Sequence, residues 1–298
     1  MRVKVTTAAI LLIGVISACG TAEQNGSSAI KNENEIKEEI IMKEVNLKEN
    51  ALEGLHAFVK DYDVEKAKTY FKEDYIQHNP GAPQGLSASL QMIPLLKQAN
   101  TTVQTHRIFQ DGDIIVMHNT LHNAAPLGGD AFVVFDVYRM EEGMVAEHWD
   151  AITPLVESTY GNTQVDGSTK IIDLDKTEAN KKVASDLVNK VFINQNISLL
   201  SEYFHEDYIE HNPMSPGGIK GLMEGLQKYA EMGVVLKLEK LHKVLGEGNF
   251  VLAMIEASMN GQPTIIYDLY RMEAGKVAEH WDVIQPIPAE KANSNGVF

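Results

Sequence analysis

The chain has 298 residues, 44% of them apolar, a formal net charge of −15 and a single cysteine, Cys19. This length suits about two domains, and the apolar share is ordinary for a globular protein. The acidic excess repels phosphate backbones and anionic surfaces, which argues against a nucleic-acid partner. One cysteine allows neither an internal disulfide nor a cysteine-rich metal site, so the folded parts must stand on their cores.

Residues 1–18 read as a signal peptide: Arg2 and Lys4, an apolar run from Ala8 to Ile16, then Ser17 and Ala18 before Cys19. The run is too short for a hydrocarbon layer of roughly 30 Å, which needs about 20 residues. Ile16-Ser17-Ala18-Cys19 resembles the lipobox of bacterial lipoproteins. The resemblance implies that Cys19 is lipidated and becomes the first mature residue, holding the protein on the extracytoplasmic side of a bacterial cell membrane. Residues 19–46 are rich in Glu, Lys, Asn, Ser and Gly, with few side chains to bury, and form a flexible spacer.

Beyond the spacer the chain repeats itself. The eleven residues from Tyr70 to Pro80 recur from Tyr203 to Pro213, offset by 133, and those from Asp136 to Asp150 recur from Asp268 to Asp282, offset by 132. The period is that of a domain, giving copy one at 47–156, a Gly- and Ser-bearing linker at 157–176, and copy two at 177–290. Each copy opens with helical spacing: Leu52, Leu55 and Val59, or Val183, Leu187, Val188 and Val191. A shorter amphipathic helix then ends at Tyr70-Phe71 or Tyr203-Phe204. Pro80 and Pro213 hold Asn79 and Asn212 out of helical geometry, so each His-Asn-Pro motif lies in a loop. A further short helix is expected after Gly85 or Gly221. Strands are expected in copy one near 102–109, 113–122, 131–140 and 145–152. Helices followed by antiparallel strands make an α+β fold.

The last hairpin decides which side chains meet. A two-residue primed turn would force Glu142 to positive φ at a cost of about 1 kcal/mol, so the expected connection is a type I turn with Gly143 as a glycine bulge. That register puts Met140 opposite Met144 and Asp136 opposite His148. Asp136, Tyr138, His148 and Asp150 then share one face, as do Asp268, Tyr270, His280 and Asp282 in copy two. Asp136 sits in the apolar run 132–137, so it is either a structural carboxylate or an acid/base partner of His148. His118 and His122 lie four residues apart on one strand, about 13 Å at 3.3 Å per residue, too far to share an ion. No metal and no cofactor is expected. Pairing Asp111-Gly112-Asp113 with Glu247-Gly248-Asn249 sets His118 against Met254, so the first pocket is expected to carry any catalysis. His78 and His211 are either turn residues bonded to backbone or pocket residues.

The order of opening helix, His-Asn-Pro motif and Asp-Val-Tyr-Arg-Met-Glu-x-Gly-x-Val-Ala-Glu-His-Trp-Asp is similar to the SnoaL-like polyketide cyclase group of the nuclear transport factor 2-like superfamily. The resemblance implies two tandem cone-shaped domains, each a curved antiparallel sheet wrapped around N-terminal helices over an apolar pocket. It implies cofactor-independent acid/base chemistry of aldol/cyclase, isomerase or hydrolase type, or capture of a small hydrophobic or carbonyl compound without turnover. Asp150, His148, Asp136, His118 and His78 are the expected acid/base residues. Tyr138, His211, Asp268, Tyr270, His280 and Asp282 are expected to contact the bound molecule. Relatives pair through their sheets, so the two copies are expected to form an internal pseudo-dimer. Its seam would set Phe135, Val137 and Trp149 against Tyr267, Leu269 and Trp281. Replacing the anchor residue, Cys19→Ala, is expected to release the protein from membranes; metabolic labelling with a fatty-acid probe checks this, and undiminished labelling of the variant would reject the assignment.

Overall fold

The molecule is described over residues 46–298 in a computed structural model; the expected signal peptide, Cys19 and nearly all of the expected spacer lie outside the described residues. Copy one begins with α1 (Leu47–Val59) and α2 (Val64–Tyr70). The side chain of Asn46 caps the first at the amide of Glu49, and that of Asp63 caps the second at Lys66. β1 (Phe71–Gln77), α3 (Leu86–Leu90) and α4 (Met92–Ala99) follow. Then come β2 (Thr102–Asp111), β3 (Ile114–His122), β4 (Ala131–Glu141) and β5 (Met144–Pro154). Copy two has α5 (Thr177–Asp186), running into a π-helical stretch at Leu187–Ile193, then α6 (Leu200–Tyr203), β6 (Phe204–Glu210) and α7 (Gly218–Glu231). It ends with β7 (Leu236–Glu247), β8 (Phe250–Met259), β9 (Gln262–Glu273) and β10 (Lys276–Pro286).

The fold is α+β with two sheet-bearing domains. The five-stranded sheets have the orders β1-β5-β4-β3-β2 and β6-β10-β9-β8-β7. They are mixed rather than purely antiparallel, because β1 and β6 run parallel to β5 and β10. These two strands were expected as helix end and loop. Phe71 and Tyr75 are buried on either side of Lys72-Glu73-Asp74, and the ladder shifts register between Phe71 and Ile76, so no alternation marks the strand. α7 begins three residues before Gly221. Among the described residues no helix is long and apolar enough to cross a membrane.

The hairpin corrects the expected turn. Glu142 (φ 54°) and Gly143 (φ 81°) are both left-handed, the two-residue primed turn whose twist matches the strands. Glu141 faces Met144 and Met140 faces Val145, but Arg139 faces Glu147, leaving Ala146 as an extra residue in β5. This bulge reverses the parity a second time. Tyr138 therefore faces His148 and Asp136 faces Asp150, so the predicted four residues do share a face, by a different route. Copy two repeats the device with Ala274 (φ 48°) and Gly275 in the turn and Ala278 as the extra residue.

Each sheet packs one face on its own helices. Leu55, Val59, Phe71, Tyr75, Met117 and Tyr138 belong to the first core, and Leu187, Val191, Phe204, Tyr208 and Tyr270 to the second. The other faces meet: Phe135, Val137 and Trp149 share one buried cluster with Tyr267, Leu269 and Trp281. Polar contacts cross between the halves in exchanged form. Glu247 accepts from Lys48 Nζ (2.8 Å) and the Gln110 amide (2.6 Å), while Asp111 accepts from Lys181 Nζ (2.7 Å) and the Gly246 amide (3.0 Å). The guanidinium of Arg107 lies over Trp281 at 4.1 Å and the ammonium of Lys243 over Trp149 at 4.6 Å. Arg107 is buried and donates to the carbonyls of Ser168, Val165 and Asp166 in the linker. Gly167 (φ +91°) permits that approach, since a Cβ there would run into Glu279, His211 and Trp281. Arg107→Leu strands three carbonyls and is expected to cost about 2–4 kcal/mol, against about 1 kcal/mol or less for Lys243→Leu. Urea unfolding of both variants measures this, and equal midpoints would contradict the clamp.

Candidate acid/base site

The bulge delivers three ionisable groups to the core face of the first sheet. His148 Nε2 lies 2.9 Å from Asp136 Oδ1, and His148 Nδ1 lies 3.1 Å from the Tyr75 hydroxyl. Tyr75 also accepts from Gln77 Nε2 at 2.8 Å. Asn119 Nδ2 donates to Asp136 Oδ2 at 2.6 Å, and Asn79 Nδ2 donates to Asp150 Oδ2 at 2.7 Å. Tyr138 stands edge-on to the imidazole, with ring centroids 4.8 Å apart. The remaining oxygen, Asp150 Oδ1, is buried without a partner.

Electrostatics follow from this packing. Burial alone would lower the His148 pKa, but the Asp136 hydrogen bond and the Asp150 charge outweigh it and raise it. Burial raises that of Asp150, reinforced by Asp136 and opposed by His148 and Asn79. The second copy changes two residues, Asn119 to Ile255 and Gln77 to Glu210, and the second change brings a charge. Where Gln77 stands in copy one, Glu210 meets His280 Nδ1 at 2.9 Å and accepts from the Tyr208 hydroxyl at 2.9 Å. His280 Nε2 faces Asp268 Oδ1 at 3.3 Å, and Tyr270 donates to Asp268 Oδ2 at 2.8 Å. Asn212 donates to Asp282 Oδ2 at 2.7 Å. Against the penalty of burial, Glu210 and Asp268 push the His280 pKa well up. Burial together with those two charges lifts Asp282 to about 7.

The ligating atoms of Asp136, His148 and Asp150 lie within 4.8 Å of one another, near enough for one cation. Both imidazole nitrogens, however, already face Asp136 and Tyr75, so an ion there would have to break the network.

Three predicted residues lie elsewhere. Met117 and Asn119 pair with Asp136 and Val134, which puts His118, opposite Phe135, on the seam face. His118 is buried there and stacked on Phe135 at 4.4 Å, and its Nδ1 takes a hydrogen bond from Arg107 at 3.1 Å. Burial and the Arg107 charge hold its pKa well below that of free imidazole. The expectation that His118 arms the first pocket is thus corrected, and the argument for catalysis in copy one alone falls with it. His78 stacks on Trp149 at 4.6 Å, with Nε2 2.7 Å from Glu147 Oε1 and Nδ1 3.0 Å from the Gly296 carbonyl. His211 stacks on Trp281 at 4.5 Å, with Nδ1 2.9 Å from the Thr163 carbonyl and Nε2 3.3 Å from Glu279. Both stand behind the sheet, bonded partly to backbone, and neither joins an acid/base cluster. Tyr75, Gln77, Asn79 and Asn119, with Tyr208, Glu210 and Asn212, are the residues that sequence reasoning missed. For all but Asn119, whose counterpart in copy two is Ile255, the signal was present in the repeated motif, where Tyr, Gln/Glu and Asn recur around the histidine.

Residues 52–148 match the family of the SnoaL-like domain. The first domain is SnoaL-like. No curated protein matches the chain. Among solved structures, TsrD from Streptomyces laurentii is similar at 19% identity, TM-score 0.32, covering 36% of this chain and 87% of that one. IdmH from Streptomyces antibioticus is similar at 17% identity, TM-score 0.32, over 36% and 91% of the two chains. An NTF2-like protein from Cytophaga hutchinsonii is similar at 16% identity, TM-score 0.31, over 38% and 94%.

The raised Asp282 pKa sets a direction for stability. The folded state holds that proton more tightly than the unfolded one, so the contribution is full below pH about 4 and is lost as pH rises through about 7. Asp282→Asn, which keeps a neutral acceptor for Asn212, removes the titration. The variant is expected to gain on the wild type by on the order of 1–3 kcal/mol between pH 4 and 7, measured by denaturant unfolding across that range; parallel pH profiles would contradict a neutral Asp282.

Proposed function

We propose that the protein is a membrane-tethered, tandem SnoaL-like protein whose pockets take a small carbonyl compound and move a proton on it without a cofactor. The observation that carries this reading is the unpartnered Asp150 Oδ1, buried beside an imidazole that Asp136 favours in its charged form. A buried carboxylate oxygen with no protein partner lacks a hydrogen bond that a ligand could supply, and burial raises its pKa in the direction a general base needs. Asp150 would take the proton from the carbon next to a carbonyl. The electron pair would pass to the carbonyl oxygen as an enolate, with the His148 charge lowering its energy. Where a double bond extends the enolate, return of the proton at its far carbon gives isomerisation; attack of the enolate carbon on a second carbonyl gives ring closure, with the new alkoxide taking the proton back from Asp150. Asp282 and His280 have the corresponding places in copy two.

The lipid on Cys19 and the pairing of the two copies as an internal pseudo-dimer belong to the same proposal, supported by the lipobox-like sequence and by the shared cluster of the two sheets. A second reading, capture without turnover, is favoured by the occupation of both His148 nitrogens. The test is exchange of α-protons in a panel of small ketones, followed by NMR in deuterium oxide. The wild type is expected to speed exchange, and the double variant Asp150→Asn/Asp282→Asn to lose about 100-fold or more of that rate. Exchange that persists in the double variant would sink the acid/base reading, and ketone binding without exchange in the wild type would favour capture.

A further inference from the structure

The two clusters have different covers. Over the first, the C-terminal tail is tied to the His-Asn-Pro loop: Asn293 Nδ2 donates to the carbonyls of Asn79 (2.7 Å) and Ala82 (2.8 Å), and the Ala292 amide donates to that of Pro80 (2.8 Å). Over the second lies a cavity of ≈ 270 Å³, with Asp282 and Asn212 in its wall beside Tyr229, Met259 and Ile284. Its other side belongs to the first domain and the linker, through Thr153, Pro154, Val156 and Gln164. That rim is built rather than incidental. Gln164 is buried, its Oε1 accepts from the Val156 amide at 2.8 Å, and its Nε2 donates to the Pro154 carbonyl at 3.4 Å. At the mouth two apolar side chains stay accessible, Met214 at 55% and Val156 at 47%. Apolar lining with a few convergent polar groups is what a small-molecule site requires, and the volume falls just below the roughly 300–1,000 Å³ of pockets for drug-sized ligands.

We infer that this cavity is a composite ligand site, floored by the second domain and rimmed by the first, and that it takes a small neutral ketone. The ketone's oxygen lies toward Asn212 and the carbon beside its carbonyl toward Asp282, and its compact apolar body rests against Met259, Ile284 and Met214. The ligand class rests on the acid/base reading above; the composite rim does not. With the carboxylates of Glu210 and Asp268 both on one imidazole, an anionic ligand is repelled. Glu210, standing where the first copy has Gln77, is then the residue that separates the two pockets by charge.

The test uses the full chain labelled with 13C-methyl methionine and titrated with 1-decalone, watched by NMR. Saturable shifts are expected at Met214 and Met259 and none at Met117, which pairs with Asp136 beside the first cluster. Val156→Trp, placed on the exposed rim, is expected to weaken binding at least 10-fold. Pro288→Trp, the same position after β10, is expected to leave it unchanged. Shifts at Met117 alone, or equal affinity in the Val156→Trp variant, would overturn the composite site while leaving acid/base chemistry intact. So would an absence of methionine shifts in a protein that still exchanges α-protons through Asp150. Tighter binding of cyclohexylamine than of the ketone would overturn the ligand class. Neither shifts nor exchange in the wild type would overturn both readings.

Discussion

One extra residue in the last hairpin of each copy governs the rest of the structure. Side chains on a strand alternate between faces, so inserting Ala146 opposite the Arg139–Met140 step moves every residue beyond it to the other side of the sheet. Without the bulge, the primed turn at Glu142-Gly143 would send His148 and Asp150 to the seam and turn Glu147 and Trp149 toward the helices. A charged pair would replace the aromatic packing between the sheets, and a tryptophan would fill the pocket. The turn itself holds a non-glycine residue in the left-handed region, at Glu142 and again at Ala274, at a cost of about 1 kcal/mol each. The strain recurs in both copies together with the bulge, as expected if turn and bulge work only as a pair.

The same alternation connects the site to the seam. On the outer side of β5, Glu147 takes the Arg139 guanidinium at 2.8 Å and meets His78 at 2.7 Å. His78 stacks on Trp149, and the Lys243 ammonium caps that ring from the other half. The amide of His78 donates to the His148 carbonyl at 2.8 Å, so the strand that presents the inner imidazole is pinned by the outer one. In copy two Arg271, Glu279, His211, Trp281 and Arg107 form the corresponding row. Burial would raise the Glu279 pKa, but bonds from His211, Ser168 and Arg271 hold it at about 2. His78, a candidate acid/base residue in the sequence, and His211, a candidate ligand contact, serve here as spacers between a carboxylate and a buried indole.

Much of this was legible in the residues. The repeat was read from two motifs at matching offsets, and the inward face of the hairpin from the spacing of Asp136, Tyr138, His148 and Asp150. The misread features share a physical cause, since each depends on a relation that one strand's pattern does not contain. The turn type depended on a compensating bulge at Ala146, three residues past Gly143. The side taken by His118 depended on pairing with β4, where its neighbours Met117 and Asn119 face the carboxylates. β1 was hidden because its buried residues flank Lys72-Glu73-Asp74 and its partner is parallel and distant in sequence. Glu210 was visible as a letter in the motif, but only burial gives its charge a consequence.

Holding both copies in one chain changes what evolution can do with the contact. Two identical subunits meeting about a two-fold axis must present the same residues to each other, so any change appears twice. Here the exchanged contacts have already diverged: a buried Arg107 on one side answers a half-buried Lys243 on the other, and His118 stands where copy two has Met254. Arg107 reaches the linker carbonyls as well as Trp281. A guanidinium can do this because its fork carries five donors in a plane, while an ammonium is a point charge on a flexible stem. The linker it grips leads back through Gln164 to the rim over Asp282. Asymmetry at the seam and asymmetry at the two covers are therefore parts of one constraint. The segment that joins the copies forms the rim over Asp282 and is gripped by Arg107, while the C-terminal tail is tied to the loop of the first copy.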